Sequence, residues 1–420
     1  MPAGVPLFLL QLIVILLLAV LLGRLAARFG QPAIVGELSA GLLLGPAVLG
    51  QLAPEWSQWL PKPGSGALID AIAQLGVLLL VGLTAAQLDL AALGRQAGTL
   101  ARISAWGLLV PLALGVAAGF AAPEVLLGPG TRREVFAIYF GVALCVSAIP
   151  VIARTLTDLR LLDHRIGQLI LASGACQDAV GWVLLAVVGA MAATGLDVGA
   201  LGLSVLWLAV LLAVVLAARP LARRVLRGGE QAPTMTIVVV MILTAALAAH
   251  AAALEPVVGA FIAGLLVGVK GGADPRHLAT LRTVVIAVLA PVFLAFAGLH
   301  LDPAALADPV VAAAAAAALA IAVLGKLAGG YVGARTSGLS HWESFAIGAG
   351  LNSRGLIEVI VATVGLRLGI LTPAAYSIIV LIAVTTSLMA PPLLRMALAR
   401  ASIGEPDGRR QSERNHDHLH

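Results

Sequence analysis

The sequence contains very little charge. Lys, Arg, Asp and Glu make up 11% of its 420 residues and hydrophobic residues 60%, whereas about a quarter of a soluble domain is charged. The longest polar stretch is the tail from Arg400 to His420. These absences exclude a soluble domain and indicate an all-α polytopic membrane protein.

Cysteine is scarce, and nucleotide-binding motifs are missing. Cys145 and Cys176 are too few for a disulfide framework or a zinc site, and we interpret them as small packing residues. No G-x-x-x-x-G-K-[S/T] segment is present to hold a phosphate. We therefore expect no cofactor and no drive by ATP.

Long apolar runs dominate the chain. The first run, residues 5–23, carries no charge and can cross a hydrocarbon layer of about 30 Å. No basic residue precedes it, so a retained helix is favoured over a secretory signal. Hydropathy and helix breakers predict thirteen membrane helices, near residues 5–23, 33–50, 67–87, 98–120, 135–156, 166–194, 199–218, 233–253, 255–269, 282–300, 309–334, 343–366 and 372–394.

The basic residues alternate in agreement with this division. With the N-terminus placed outside, 20 of the 26 Lys and Arg residues fall in inner connections and 4 in outer ones, while Lys326 and Arg354 lie within spans. Since inner loops of membrane proteins are enriched in Lys and Arg, the N-terminus is predicted outside and the C-terminus in the cytoplasm. This distribution also argues against a nucleic-acid partner.

Thirteen spans divide into six, one and six. Two six-helix halves separated by one helix lie in opposite orientations, which is the inverted repeat of many secondary transporters. The transmembrane domain would cover residues 1–400, followed by a short disordered cytoplasmic tail at 401–420. Within it we predict a first repeat at about 5–194, a linker helix at about 199–218 and a second repeat at about 233–394.

The fifth span of each half is interrupted. Pro150 breaks the helix in "VSAIPVIART", and Gly348, Gly350, Asn352 and Gly355 weaken it in "GAGLNSRGLIE". Non-helical backbone at membrane depth survives where it lines a cavity or is buried in protein. The paired breaks therefore point to a substrate site.

Four charged side chains lie within spans: Asp178, Lys326, Arg354 and Glu358. Each costs about 2.5 to 3.5 kcal/mol or more at mid-membrane, so each is a candidate for function. The alternative is structural pairing. Arg354 and Glu358 lie four residues apart and could satisfy each other on one helix face.

Asp178 is the sharpest candidate, because burial and a nearby cation act on a carboxyl group in opposite directions. A group balanced in this way can hold either a proton or an alkali cation. Gln177 adds an amide oxygen that cannot take up a proton. Lys326 can pair with Asp178 when the cation is absent.

Six segments resemble the monovalent cation:proton antiporter-2 family, and especially its branch of plant cation/proton exchangers and their bacterial relatives. They are "QPAIVGELSAGLLLGPAVLG" (31–50), "LGVLLLVGLTAAQLDL" (75–90), "SAIPVIARTLTDLRLLDHRIGQL" (147–169), "VVGAFIAGLLVG" (257–268), "PVFLAFAGLHLD" (291–302) and "NSRGLIEVIVATVGLRLGILTP" (352–373). The resemblance implies thirteen helices with crossing broken helices, and a core that moves against a dimerising panel in an elevator-type cycle. It places the alkali cation at Asp178 with Gln177 and Lys326 beside it, and the supporting residues are Ser147, Pro150, Asn352, Arg354 and Glu358.

The chain departs from the family at two positions. Gln177 stands where relatives carry Asn or Asp, and Gln87 where they commonly carry Glu. In the family, two acids accompany electrogenic exchange and one accompanies electroneutral exchange, so the electroneutral class is favoured.

The expected function is exchange of K⁺ or Na⁺ for protons by a homodimer in the lipid of the cell membrane. Two alternatives stay open: an exporter of a cation-bound organic ligand, and a transport-inactive sensor or channel-like protein.

Overall fold

The computed structural model describes residues 5–401 except 30, 46–47, 54, 56–66, 87–96, 162–163, 195–201, 203–205, 207–208, 211–212, 215–216, 227–230, 253 and 269–274. Apart from an isolated β-bridge between Leu127 and Leu371, the regular structure of these residues is helical. The helices of the first half are α1 (Val5–Arg28), α2 (Ala33–Leu44), α3 (Leu49–Leu52), α4 (Ala67–Ala85), α5 (Ala97–Ala121), α6 (Arg133–Cys145), α7 (Ile149–Asp158) and α8 (Arg165–Thr194).

The second half is also helical and contains one π-helical segment among its described residues. Its helices are α9 (Arg219–Leu226), α10 (Gln231–Ala251), α11 (Pro256–Val267), α12 (Pro275–Val284), α13 (Ala290–Leu299), α14 (Pro309–Arg335), α15 (His341–Leu351), α16 (Leu356–Arg367) and α17 (Pro373–Arg400). A π-helical segment, Val285–Leu289, joins α12 to α13.

Among the described residues, nine helical stretches are long and apolar enough to cross a membrane, or ten if the bent pair α15 and α16 is one span. Two of the nine join separate helices, α2 with α3 and α12 with α13. The all-helical multi-pass fold is therefore confirmed. The count of thirteen and the inverted repeat stay predictions. Most of the linker helix at 199–218 lies outside the described residues, as do Gln87 and the tail from residue 402.

Both predicted interruptions are present. Helix α6 ends at Cys145 and α7 begins at Ile149, so Pro150 occupies the second position of a helix, where its missing N–H breaks no helical hydrogen bond. Helices α15 and α16 are bent by 45° across residues 352–355. Gly355 has φ +158° and ψ −112°, a conformation essentially confined to glycine.

The expectation for Gly348 and Gly350 is wrong, because both lie inside helix α15 rather than in the break. Their role is close packing. A Cβ at Gly348 would come within 2.6 Å of the Leu327 carbonyl oxygen on α14, and one at Gly350 within 2.6 Å of the Ile170 side chain.

The helices form two bundles that pack extensively within themselves and little against each other. The core bundle consists of α5–α8 and α14–α17, and the panel bundle of α1, α2, α4 and α10–α13. Glycines bring backbones together in each. A Cβ at Gly329 would lie 2.4 Å from the Trp106 carbonyl oxygen in the core bundle, and one at Gly41 1.7 Å from the Ala295 carbonyl oxygen in the panel bundle.

Candidate ion-binding site

The two helix breaks meet inside the core bundle. The backbone N–H of Ala148, in the first break, donates to the carbonyl oxygen of Ser353, in the second, at 3.2 Å. The Ser147 hydroxyl donates to the carbonyl oxygen of Leu351, also at 3.2 Å. Breaking both helices frees main-chain groups, and these contacts satisfy part of them across the crossing.

Lys326 ties the crossing to helix α8. Its ammonium group is fully buried and donates to the carbonyl oxygen of Cys145 at 2.5 Å and to Gln177 Oε1 at 2.8 Å. Ser147 Oγ also lies 3.2 Å from the same Gln177 oxygen, which is therefore an alternative acceptor to the Leu351 carbonyl oxygen for its single hydroxyl proton. The hydrogen bonds of the ammonium group go to Gln177 and to the end of helix α6. That Lys326 pairs with Asp178 when the cation is absent stays a prediction.

Asp178 lies beside this cluster, 1% exposed, and faces the panel bundle. It lines a cavity of about 10 Å³, here called the Asp178 cavity, together with Leu80, Val81, Thr84, Ala85, Trp182, Phe261, Leu356, Ile357 and Ile360. A volume of this size holds about one water molecule. Asp178 and Thr84 supply the only oxygen-bearing side chains among the described residues of this lining, so they are the side chains there that can contact a bare cation.

Arg354 and Glu358 form no direct hydrogen bond or ion pair with each other among the contacts of the described residues, although their charges lie close enough to attract each other. Each side chain is instead hydrogen-bonded to the main chain. Arg354 lies before Gly355, the N-cap of α16, and is therefore outside the helix. The rule that residues four apart are neighbours on a helix face does not apply to it. Its guanidinium donates to the carbonyl oxygens of Leu144, Ala322 and Ala143 at 2.5, 3.3 and 3.5 Å.

Glu358 instead accepts the backbone N–H of Gly355 at 2.7 Å, within the first turn of α16. The carboxyl group thus caps the helix that begins after the break. Arg354 and Glu358 each stabilise one broken helix by binding its main-chain ends.

Of the other predicted supporting residues, Asn352 is fully buried as the last residue of the α15 turn. Pro150 has a described backbone position but no described side chain.

Two larger cavities lie between the bundles, at opposite ends. The Arg395 cavity has a volume of about 490 Å³; it is lined by Glu37, Thr155, Arg282 and Arg395 among others and shares Leu80, Thr84 and Leu356 with the Asp178 cavity. The Asp70 cavity has a volume of about 900 Å³ and is lined by Asp70, Gln74, His300, Asp302 and Arg367 among others. Among the described residues, no lining residue is common to the Asp70 and Asp178 cavities, so Asp178 adjoins the Arg395 end.

His300 directly follows the last residue of α13, and its imidazole lines the Asp70 cavity. Burial lowers the pKa of His300, while the carbonyl oxygen of Phe296, 3.0 Å from Nδ1, and the nearby Asp70 carboxylate act in the opposite direction. The Asp70 and Asp302 carboxyl groups and the His300 imidazole make part of the lining of this cavity polar.

The sequence reasoning missed Thr84, the main-chain acceptors and every contact between the bundles. Thr84 lies in the quoted segment 75–90, but a threonine in an apolar helix carries no distinguishing signal. Carbonyl oxygens such as those of Cys145 and Leu144 have no signature in a sequence.

Comparisons with known proteins agree with this architecture. A model of the family "Sodium/hydrogen exchanger, transmembrane" matches residues 13–400. The Na⁺/H⁺ antiporter NhaS4 of Synechocystis is 29% identical over 92% of this chain and 96% of its own length. Cation/H⁺ antiporter 17 of Arabidopsis thaliana is 27% identical over 93% of this chain, which spans about half of that protein (48%).

Among solved structures, the sodium proton antiporter MjNhaP1 from Methanocaldococcus jannaschii superposes with a TM-score of 0.71. The superposition covers 91% of this chain and 97% of that one at 15% sequence identity. At this identity the likeness shows the fold alone. The family match, which extends over nearly the whole chain, shows that this protein belongs to the transmembrane sodium/hydrogen exchanger family.

Proposed function

We propose that the protein is a secondary antiporter that exchanges an alkali cation, K⁺ or Na⁺, for a proton. The observation that carries the proposal is the position of Asp178. This carboxyl group is buried next to two crossing helix breaks and adjoins a cavity that leads to one end of the molecule. A carboxylate in that position binds a proton or a cation, and the two compete for it.

Lys326 and Gln177 couple cation binding to a change in hydrogen bonding at the site. In this conformation the Gln177 amide oxygen accepts a hydrogen bond from Lys326 and lies 3.2 Å from the Ser147 hydroxyl. A cation that binds Asp178 and reaches this oxygen displaces the ammonium group, because both need the same lone pairs. If Lys326 keeps its proton throughout the cycle, one proton leaves Asp178 for each cation that enters and the exchange is electroneutral.

The two bundles supply alternating access. The core bundle carries Asp178 and both broken helices, and its loose contact with the panel bundle suits the rigid-body movement of an elevator mechanism. The distribution of basic residues assigns the Arg395 cavity to the cytoplasm and the Asp70 cavity to the outside of the cell membrane. The conformation described is then open to the cytoplasm.

The direct test uses purified protein in proteoliposomes with a preset pH gradient and an internal fluorescent pH indicator. We expect the gradient to dissipate when K⁺ or Na⁺ is added, and not when choline is added. A response to organic cations alone would identify an exporter of organic ligands. If a correctly inserted protein responds to no cation, the alternative of a transport-inactive sensor is favoured.

We also propose that the panel bundle forms a homodimer. Its helices α1 and α10 expose large apolar side chains on their outer faces, including Leu17, Leu21, Val240 and Leu247. Native mass spectrometry in mild detergent and at several lipid loads should show a dimer. A monomer at every lipid load would contradict this assignment.

A further inference from the structure

Several polar contacts join the two bundles at the end of the molecule that holds the Asp70 cavity. Arg367, the last residue of α16 in the core bundle, donates to Glu255 Oε2 at 2.5 Å and to Gln74 Oε1 at 3.0 Å. Glu255 precedes the first residue of α11, and Gln74 lies on α4, so both acceptors belong to the panel bundle. We call these three residues the Arg367 clasp.

Two further hydrogen bonds cross the interface at the same end. The Tyr376 hydroxyl of α17 donates to the carbonyl oxygen of Ala297 on α13 at 2.7 Å. The Asp302 N–H donates to Ser377 Oγ at 2.8 Å. Together with the clasp they join the bundles on the side that is separated from Asp178.

Glu255 is held firmly in place. Its side chain is 10% exposed and lies at the N-terminus of α11, where the helix dipole favours a negative charge. A Cβ added at Gly189 of the core helix α8 would lie 3.4 Å from Glu255 Cγ, so the carboxylate side chain is packed against the core bundle as well.

Helix α16 connects the clasp to the ion site. Arg367 ends the helix, while Leu356, Ile357 and Ile360 near its beginning line the Asp178 cavity. The twelve residues of α16 span about 16 Å. A rigid helix held at one end is restricted in how far its other end can move, so the clasp and the Asp178 cavity are connected through one helix.

We propose that Arg367 is a positioning residue that, through Glu255 and Gln74, holds the core bundle against the panel bundle and keeps Asp178 open to the Arg395 cavity. The clasp thereby sets the ratio between the state in which Asp178 is open to the Arg395 cavity and the state in which it is open to the Asp70 cavity. This inference rests on the proposed function for its meaning in transport, but the contact itself can be tested without transport.

The effect of the clasp is moderate in size. The Arg367 side chain is 42% exposed, and an exposed ion pair contributes less than a buried one because water and salt screen it. We expect loss of the clasp to shift the ratio of the two access states by about two- to fivefold. Such a shift is large enough to measure and small enough to leave the protein folded.

The test measures the access of a membrane-impermeant thiol reagent, added to either face of the vesicles, in a variant that lacks Cys145 and Cys176. One reporter is Thr84→Cys, which lines both the Asp178 and Arg395 cavities; the other is Ile360→Cys, on the core side of the Asp178 cavity. With the clasp intact, we expect Thr84→Cys to react from the face of the Arg395 cavity. In Arg367→Met or Glu255→Gln, that reaction should slow and Ile360→Cys should become reactive from the opposite face.

Three comparisons make the result specific. The charge exchange Arg367→Glu with Glu255→Arg should restore the original pattern, and Arg367→Lys should restore part of it. Arg132→Met, which removes an exposed ion pair to Glu134 within the core bundle, should leave the pattern unchanged.

An unchanged pattern in both single variants, or failure of the charge exchange to reverse their effect, would overturn the proposal. If the labelling depends on the clasp but the unmodified protein exchanges no ions, the clasp is retained and the antiporter function is refuted instead.

Discussion

Replacing Asp178 by asparagine is expected to reduce cation-dependent proton flux in proteoliposomes to the level of empty liposomes. Asparagine has nearly the same shape but neither binds a proton at physiological pH nor offers an anionic ligand. The variant should fold, because the substitution removes a charge from a site that is 1% exposed and so lowers the cost of burying it. Flux is measured by fluorescence dequenching after K⁺ or Na⁺ is added.

Asp308→Asn is the matched control. Asp308 caps helix α14 by accepting the N–H groups of Val310 and Val311, and asparagine caps helices equally well. This variant should transport at the rate of the unmodified protein. Cation-driven proton flux that persists in Asp178→Asn would refute the assignment of Asp178 as the shared site.

Exchange by the unmodified protein is expected to be indifferent to membrane voltage, whereas Gln177→Asp should make it electrogenic. Gln177 cannot ionise, so Asp178 alone exchanges a proton for a cation, and each net charge moved would couple about 2.3 kcal/mol per 100 mV. An aspartate at position 177 places a second carboxyl group near the Lys326 ammonium, which now lies 2.8 Å from Gln177 Oε1. The second acid adds an ionisable group to the cycle, and net charge then crosses the membrane.

Currents on solid-supported membranes, and flux under a potential clamped with valinomycin, measure the difference. Gln177→Asn is the control, since a shorter neutral amide should weaken binding without producing a current. A clear current from the unmodified protein that Asp178→Asn abolishes would show that Lys326 or another group also releases a proton. The one-for-one stoichiometry would then be wrong.

Much of the site could be predicted because charge is rare in this chain. Asp178, Lys326, Arg354 and Glu358 stand out in apolar spans since burying a charge in a membrane is costly, and the structure places all four in the core bundle with at most 1% exposure. The roles of Arg354 and Glu358 could not be read from their spacing. Their partners depend on where helix α16 begins, and the spacing of four has its usual meaning only inside a helix.

The sequence by itself determined the environment, the helical class and the positions of both breaks. An apolar solvent forces backbone groups to bond within each span, so length, hydropathy and the placement of proline and glycine suffice for these features. Only the tertiary structure decided which atoms meet. Lys326 binds a carbonyl oxygen 181 positions away and Arg367 a carboxylate 112 positions away. Such contacts depend on how two bundles pack in space, and main-chain acceptors are identical at every residue, so no local pattern in the chain encodes them.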